Sequence, residues 1–333
     1  MTQFLIRTDA AKIPEIGTGH LITSLTIVKY LIKKNNLEKK NFAFLVKRRK
    51  KYSISSKILK KNQFKIIKIH EKIKNYSSLE LKKILRINFD IIIFDRIGKI
   101  KKKFLTKLKE QKKKVICLED NSKNKDIIDL SINSLIFKKN IKKKNQLSGF
   151  AYNIIPSILE KKNKIKKRNK IKKILIFFGG YDHKKIMNKL FSIFKKFNKK
   201  FTFCIPDEYN KIAQLSNMKF YNNKNFFNCL KSSDLVICSG GLIMFDSIAN
   251  NIPTICVPQY NHQLINIKKL EKKGCIKSIK NNHNIIKKLP RLLIKFSNDK
   301  KIRNNMLKNQ IIFNKSHNYK LALKKINDLQ KTY

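Results

Sequence analysis

The sequence is poor in glycine, in acidic residues and in long apolar runs. Among 333 residues there are 9 glycines, 21 Asp and Glu residues and no Trp. No apolar run approaches the roughly 18 residues of a membrane-spanning helix, which argues against a transmembrane protein. Hydrophobic residues make up 42% of the chain, enough for ordinary cores, so wholesale disorder is excluded. The length predicts two domains.

The six cysteines include no C-x-x-C pair, and several lie inside apolar runs. This arrangement argues against a zinc site or a disulfide framework and indicates free thiols in a reducing compartment. Met1–Arg7 runs directly into a polar segment, without the pattern of a secretory signal. We therefore expect a cytoplasmic protein.

Cations greatly outnumber anions: 78 Lys and Arg residues give a formal net charge of +57. The lysines are spread along the whole chain together with Ile, Asn and Phe, a composition that an AT-rich genome encodes. A dedicated nucleic-acid binder concentrates its charge on one face with aromatic residues interleaved. We expect no specific nucleic-acid partner, but salt-sensitive attraction to polyanions and peripheral contact with an anionic membrane. The oligomeric state stays open.

Short apolar runs alternate with amphipathic stretches along the chain, which is typical of a parallel α/β sheet. The apolar runs predict strands at Phe4–Arg7, Phe42–Val46, Phe64–Ile69, Ile91–Asp95, Val115–Leu118, Ile174–Phe178, Phe201–Ile205, Leu235–Cys238 and Thr254–Val257. Helical spacing predicts a helix after Gly19, helices at His183–Phe197, Leu242–Ala249 and Leu264–Lys272, and a last helix capped by Ser297.

A basic stretch with few apolar residues interrupts this alternation near its middle. Around Glu160–Lys173 the sequence reads EKKNKIKKRNKIKK, which predicts a solvated linker or a charged helix end. We therefore predict an N-terminal domain at 1–158, a basic linker at 159–173, and a C-terminal domain at 174–333 that includes the C-terminal helix.

Six of the nine glycines fall in three turns between an apolar run and a helical pattern. These are Gly17 and Gly19, Gly179 and Gly180, and Gly240 and Gly241. Glycine at such a turn lets a ligand approach the backbone and leaves helix N-terminal N–H groups free. For each of the three turns, the alternative is that the glycines only allow a tight turn and bind no ligand. Three such turns in two predicted domains favour a ligand held between them, at the carboxyl ends of the strands.

Other phosphate and metal motifs are missing from the sequence. There is no G-x-G-x-x-G, no G-x-x-x-x-G-K-[ST] and no D-x-D pair. We therefore predict neither a cofactor nor a metal, and expect helix N-termini and cations to neutralise a bound phosphate.

His20 follows the first glycine turn directly. The positive end of a helix dipole lowers the pKa of a histidine, so we expect His20 to be neutral near pH 7. A neutral imidazole at a phosphate site can act as a general base. The alternative is that His20 only caps the helix or packs against its neighbours. Asp246, just over one turn into the helix after Gly240 and Gly241, either binds the ribose hydroxyls of a nucleotide or is simply solvated.

Four segments carry a resemblance to a known family. RTDAAKIPEIGTGHLITSLTIVKYL (Arg7–Leu31) resembles the opening of the UDP-sugar hydrolases of the pseudaminic acid pathway, with its R-x-D and I-G-T-G-H elements. FFGGYDHKKI (Phe177–Ile186) is similar to their G-G-x-D-x-x-N turn. CSGGLIMFDSIANNIPTICVP (Cys238–Pro258) and HQLINIKKLEKKG (His262–Gly274) are similar to a nucleotide-binding pattern that also occurs in the lipid-II-forming N-acetylglucosaminyl transferase.

The resemblance implies a GT-B-like α/β fold, with two Rossmann-like domains whose parallel sheets face a central cleft that holds a UDP-sugar. It implies that His20 activates a water molecule for attack on the anomeric carbon, releasing UDP, and that Asp246 binds the ribose. The implied binding residues are Asp9, Gly17, Thr18, Gly19, Gly179, Gly180, Ser239, Gly240, Gly241, Asp246, Gln263 and Asn266.

The departures from the family pattern lie on the sugar side. Leu21-Ile22-Thr23-Ser24 replaces V/M-M-R-C, and Asp95-Arg96-Ile97 replaces D-H-Y. From the shared motifs and His20 we predict metal-independent hydrolysis of a UDP-linked amino-deoxy sugar for nonulosonic acid synthesis. A GT-B glycosyltransferase that uses the same UDP-sugar site is the alternative, and a polyanion-binding module is a third possibility.

Overall fold

The computed structural model describes residues 2–13, 16–120, 122–134, 145–159, 170–211, 215–222, 224–280, 284–316 and 320–331. The chain divides into two units. The first comprises Met1–Leu159 and His317–Tyr333, and the second comprises Glu160–Ser316.

The first unit is built on a seven-stranded parallel sheet. Its strands are β1 (Phe4–Thr8), β2 (Phe42–Arg48), β3 (Lys65–His70), β4 (Ile91–Gly98), β5 (Lys114–Asp120), β6 (Leu130–Asn133) and β7 (Gln146–Ser148). Their order across the sheet is β3-β2-β1-β4-β5-β6-β7, and the paired strands run parallel. β1 is therefore central, between β2 and β4.

Helices cover both faces of this sheet, which is why its central strands are continuous apolar runs. The helices are α1 (Gly19–Lys34), α2 (Ser53–Lys61), α3 (Ser78–Leu85) and α4 (Lys102–Glu110). Leu21 of α1 and Leu59 of α2 share a buried cluster with Ile6 of β1. Ile84 of α3 and Phe104 of α4 belong to the cluster on the opposite face.

The second unit repeats this plan with six strands. They are β8 (Lys173–Phe177), β9 (Thr202–Pro206), β10 (Met218–Tyr221), β11 (Leu235–Cys238), β12 (Thr254–Cys256) and β13 (Lys277–Ser278). Their order is β10-β9-β8-β11-β12-β13, again with parallel pairs. The helices are α5 (Ile186–Lys196), α6 (Phe226–Ser232), α7 (Leu242–Ala249), α8 (Asn261–Lys272), α9 (Ile285–Asn298) and α10 (Lys300–Lys315).

All nine predicted strands are present, with small differences at their ends. Four short strands were not predicted: β6, β7, β10 and β13. They have two to four residues each, too few to show an apolar period. The predicted cap at Ser297 is wrong, since Ser297 lies inside α9. Asp299 caps α10 instead, and its Oδ1 accepts a hydrogen bond from the Ile302 amide at 3.0 Å.

The C-terminal helix was predicted in the second domain, and this assignment is wrong. This helix, α11 (Leu321–Gln330), belongs to the first unit. Its Ala322, Leu323 and Ile326 are fully buried in the same cluster as the apolar side of α1. An amphipathic helix is stable where its apolar stripe is covered, and here α1 and its neighbours cover it.

Most of the predicted linker, residues 160–169, lies outside the described residues. Its final part belongs to the second unit, because Ile171 is buried and Lys173 begins β8. Within the described ranges, no helix combines the length and the apolar character that crossing a bilayer needs.

Candidate functional site

Each sheet has one point at which the strand order reverses. In the first sheet it lies between β1 and β4, and in the second between β8 and β11. Open α/β sheets bind ligands at the carboxyl ends of strands beside such a point. The three predicted glycine turns follow β1, β8 and β11, so all three lie at these edges.

His20 lies in the first turn of α1 and contacts the carboxyl-terminal half of β4. Its Nδ1 is 2.8 Å from Oδ1 of Asp95, a buried residue. The hydroxyl of Ser24, one helical turn after His20, donates to Oδ2 of Asp95 at 2.7 Å. Asp95 therefore has both carboxylate oxygens engaged by α1, and it orients the imidazole of His20.

The pKa of His20 is raised above its ordinary value, opposite to the expectation from the helix dipole. Burial lowers this pKa, but the hydrogen bond and the negative charge of Asp95 raise it, helped by the charges of Glu119 and Asp9. The sequence prediction was wrong because it considered the helix end alone. The carboxylate comes from a residue 75 positions away in the chain.

The β1–α1 turn presents open backbone. A Cβ added to Gly17 would have no neighbour within 4 Å. Thr18 is the N-cap of α1, its side chain makes no capping hydrogen bond, and the first turn, from Gly19, contains no acidic residue. The first N–H groups of a helix have no partner within the helix, so they can receive an anion or a polar ligand.

The carboxylate of Asp9 accepts hydrogen bonds from within the protein. Its Oδ2 accepts from Nη1 of Arg7 at 2.8 Å, and its Oδ1 accepts from the backbone N–H of Lys47 at 2.8 Å. The carboxylate thus fixes the loop after β1 to the end of β2. Substrate binding by Asp9 remains a prediction, while its negative charge acts on His20.

A buried ionic cluster lies on the other face of the sheet. Glu80 of α3 accepts from Nε of Arg7 at 2.7 Å and from both terminal nitrogens of Arg96, at 3.0 Å and 2.6 Å. Burial opposes the charge of Glu80, but the two guanidinium groups outweigh it and lower its pKa to about 2. Arg96 also stacks on the Tyr76 ring, 4.1 Å from its centroid. This cluster supports the carboxyl ends of β1 and β4.

The glycine turns of the second unit differ from one another. Gly179 has φ +89°, which favours glycine, and a Cβ there would meet nothing within 4 Å. A Cβ on Gly240 would lie 2.7 Å from Cδ1 of Ile267 and 2.9 Å from Cβ of Gln263, both on α8. A Cβ on Gly241, the N-cap of α7, would meet only Oγ of Ser239 at 3.9 Å. Gly240 is thus required by packing, while Gly179 and Gly241 face open space.

Except for the half-buried Gly180, the remaining predicted residues of the second unit are buried. Gly180 lies in the turn with Gly179, Ser239 is 3% exposed and Asp246 is 2% exposed. Oε1 of Gln263 accepts a hydrogen bond from the backbone N–H of Gln259. This bond holds α8 to the loop after β12. Asn266 is buried, and its Oδ1 has no hydrogen-bond partner among the described residues. Ligand binding by Asn266 stays a prediction.

The sequence analysis missed Asp95, Tyr181 and Tyr260 beside these turns, whereas the sequence already indicated His183 and His262 as possible phosphate contacts. Asp95 was noted only as part of a departure from the family pattern, although its place at the end of an apolar strand was a signal. The rings of His183, Tyr260 and His262 stack nearly parallel, with centroids 5.8 Å and 5.5 Å apart. Tyr181, directly after Gly180, approaches His183 with a centroid distance of 6.2 Å. Among the described side chains, no group of three or more His, Cys, Asp or Glu residues is arranged to hold a metal ion.

Comparison with protein families identifies residues 148–326 as a Glycosyltransferase family 28 C-terminal domain. This range is more than half of the chain. The chain belongs to this family. The matched range includes β8 to β13 and all of the predicted binding residues of the second unit.

The chain is also similar to a curated protein, the uncharacterized protein MJ1062 of Methanocaldococcus jannaschii. The two are 28% identical over 271 residues, covering 74% of this chain and 54% of that protein. The chain thus spans about half the length of this relative.

Two solved structures show the fold. Acinetobacter baumannii MurG matches with a TM-score of 0.62 and 13% identity, over 100% of both chains. S. aureus MnaA, in a structure with UDP, matches with a TM-score of 0.60 and 12% identity, over 100% of this chain and 97% of that one. The prediction of a GT-B-like α/β fold with two Rossmann-like domains is confirmed.

Proposed function

We propose that this family 28 member hydrolyses a UDP-linked sugar at the anomeric carbon and releases UDP. The observation that carries this proposal is the His20–Asp95 pair at the start of α1. A histidine oriented by a buried carboxylate is the usual form of a general base, and this one lies at the reversal point of the first sheet.

In the proposed reaction, the oxygen of a water molecule attacks the anomeric carbon. Nε2 of His20 takes a proton from that water, while Nδ1 keeps its hydrogen bond to Asp95. The bond between the anomeric carbon and the β-phosphate oxygen breaks, and UDP leaves with the electron pair. The positive charge that develops on the imidazole is stabilised by Asp95, and because this charge is absent before proton transfer begins, the stabilisation lowers the barrier.

We assign UDP binding to the second unit. The open turns at Gly179 and Gly241 and the N-terminus of α7 offer backbone N–H groups to a diphosphate. The stacked rings of His183, Tyr260 and His262 offer a flat surface for a uracil ring. The likeness to a structure of S. aureus MnaA with UDP supports this assignment. Ribose recognition by Asp246 belongs to the same proposal.

The proposed sugar is an amino-deoxy sugar of the pseudaminic type. The I-G-T-G-H element at Ile16–His20 supports this choice. At the carboxyl edge of the first sheet, Oγ1 of Thr8 and Oδ1 of Asn133 are buried without a partner among the described residues. Buried polar atoms usually have partners, so these atoms suit the hydroxyl and amide groups of such a sugar.

Transfer to an acceptor is the second candidate function. The match to the Glycosyltransferase family 28 C-terminal domain and the likeness to MurG favour it. The same base would then take a proton from an acceptor hydroxyl instead of from water. The two functions share the UDP site and differ only in the nucleophile.

The deciding experiment measures UDP release from a panel of UDP-amino sugars by the purified protein, with EDTA and without an acceptor. Release that depends on His20 supports hydrolysis. UDP binding without release from any sugar contradicts hydrolysis and favours transfer. The His70→Asn variant is the matched control, because His70 lies at the end of β3, the edge strand of the sheet.

A further inference from the structure

The first unit contains a second candidate site, a basic groove at the edge of its sheet. The groove has a volume of about 340 Å³ and is lined mainly by cations. Besides Arg49, these are Lys47, Arg48, Lys50, Lys57, Lys60 and Lys68. The other lining residues are Tyr52, Ser53 and Ser56, so the lining contains no acidic side chain. This concentration of cations exceeds the even spread of lysine along the chain.

Six of these cations form no salt bridge with an acidic residue of the described ranges. Arg49 and its neighbour Lys51 are different, because both pair with Glu71, at 3.3 Å and 2.9 Å. The other six repel one another, and the repulsion is weakest when an anion lies between them. Burial lowers the pKa of Lys47, and the nearby charges of Arg7 and Arg96 lower it further, against the opposing effect of Asp9.

The fold holds this groove in a fixed place. Arg48 is the last residue of β2 and Lys50 follows it, Lys68 lies on the edge strand β3, and Lys57 and Lys60 lie on α2. Ser55 of α2 is buried, and its hydroxyl exchanges two hydrogen bonds with the backbone of Ala10, at 2.8 Å and 2.7 Å. The N-terminus of α2 has no side-chain cap and no acidic residue in its first turn. Its dipole therefore adds to the positive potential.

We propose that this groove binds the phosphate or diphosphate group of a ligand other than the UDP-sugar. The volume suits one such group with part of the molecule that bears it. A nucleic acid is a poorer fit, because the lining has a single aromatic ring, Tyr52, which is buried and offers little surface for base stacking. Two sources share the chemistry: a phosphorylated small molecule and the headgroup of an anionic lipid.

The test is calorimetric titration of the full chain with inorganic pyrophosphate, in the presence of saturating UDP so that the nucleotide site is occupied. The groove variant combines Arg48→Gln with Lys57→Gln. The control combines Lys82→Gln with Lys83→Gln, which removes the same charge from exposed positions on α3. We expect the groove variant to bind pyrophosphate roughly tenfold more weakly and the control to bind as the original chain does. UDP affinity should be equal in all three proteins.

A second part of the experiment distinguishes a phosphorylated small molecule from the headgroup of an anionic lipid. Vesicles of phosphatidylcholine with phosphatidylglycerol are compared with vesicles of phosphatidylcholine alone. Loss of binding to anionic vesicles in the groove variant only would support a lipid headgroup. Groove-dependent binding of pyrophosphate without vesicle binding would support a phosphorylated small molecule. The proposal is overturned if pyrophosphate does not bind beside UDP, or if the control variant loses as much affinity, since net charge would then explain the attraction.

Discussion

The imidazole of His20 is subject to opposing electrostatic effects. Burial lowers its pKa, and so does its place at the N-terminus of α1. Asp95 raises the pKa through a direct hydrogen bond and through its charge, and together with the charges of Glu119 and Asp9 it outweighs the effect of burial. The pKa of the His20 imidazole is therefore raised above the ordinary histidine value. The raised pKa stabilises the fold below the unfolded pKa of about 6.5, and this contribution is lost as the pH rises through the folded pKa.

Replacing His20 with Asn tests its role as the base. We expect His20→Asn to retain UDP affinity and to reduce turnover by roughly a hundredfold or more, because proton transfer from water is lost. UDP release and UDP titration measure the two quantities. Unchanged turnover would mean that His20 is structural.

Replacing Asp95 with Asn tests the electrostatic coupling. A base works in its neutral form, so activity should rise with pH through a pKa above the usual 6.5. In Asp95→Asn the pKa of His20 falls, and the acidic limb of the pH–rate profile should move to lower pH while the maximal rate decreases. The pH–rate profiles of the original chain and of the Asp95→Asn variant measure this shift. An acidic limb that stays in place would show that another group limits the rate.

At the scale of elements, the scarce glycines have two different physical roles. Gly240 allows α8 to pack against the turn after β11, whereas Gly179 and Gly241 keep the backbone open. The sequence places all of them in strand-to-helix turns but does not separate these roles. The difference depends on Ile267 and Gln263, which approach from another helix.

Alanine at each position of the second glycine pair separates packing from ligand binding. Gly240→Ala should lower the free energy of unfolding by about 1–3 kcal/mol, because its Cβ overlaps α8. Gly241→Ala has space for its Cβ and should unfold as the original chain does. It should bind UDP roughly tenfold more weakly, because the added methyl group keeps the diphosphate away from the backbone N–H groups. Urea denaturation and UDP titration measure the two effects. Normal UDP affinity in Gly241→Ala would contradict the assignment of the diphosphate to this turn.

At the scale of the whole molecule, the C-terminal helix returns to the first unit. Amide side chains join the two ends of that unit: Nδ2 of Asn35 donates to Oδ1 of Asn327 at 2.7 Å and to Oε1 of Gln330 at 2.9 Å. The last segment of the first unit therefore follows the whole second unit in the sequence. Its stability depends on residues more than 290 positions apart in the chain.

Truncating a buried side chain of α11 tests this dependence. Leu323→Ala should lower the free energy of unfolding of the first unit by about 2–5 kcal/mol, because a fully buried leucine leaves a cavity. Lys324→Ala, at an exposed neighbouring position, should change it by less than about 0.5 kcal/mol. Urea denaturation measures both. Equal stability of the two variants would show that α11 contributes little to this core.

The sequence by itself determined the α/β class, nine of the strands, the three glycine turns and the GT-B-like fold. The α/β class, the strands and the turns follow from local patterns, since apolar runs and turn residues act over a few neighbouring positions. The GT-B-like fold was implied by the resemblance of four segments to a known family. Only the tertiary structure decided that Asp95 raises the pKa of His20, that Asp9 is held by Arg7 and Lys47, that Gly240 serves packing, and that α11 joins the first unit. Each of these depends on residues far apart in the chain, and the packing of helices and strands brings them together.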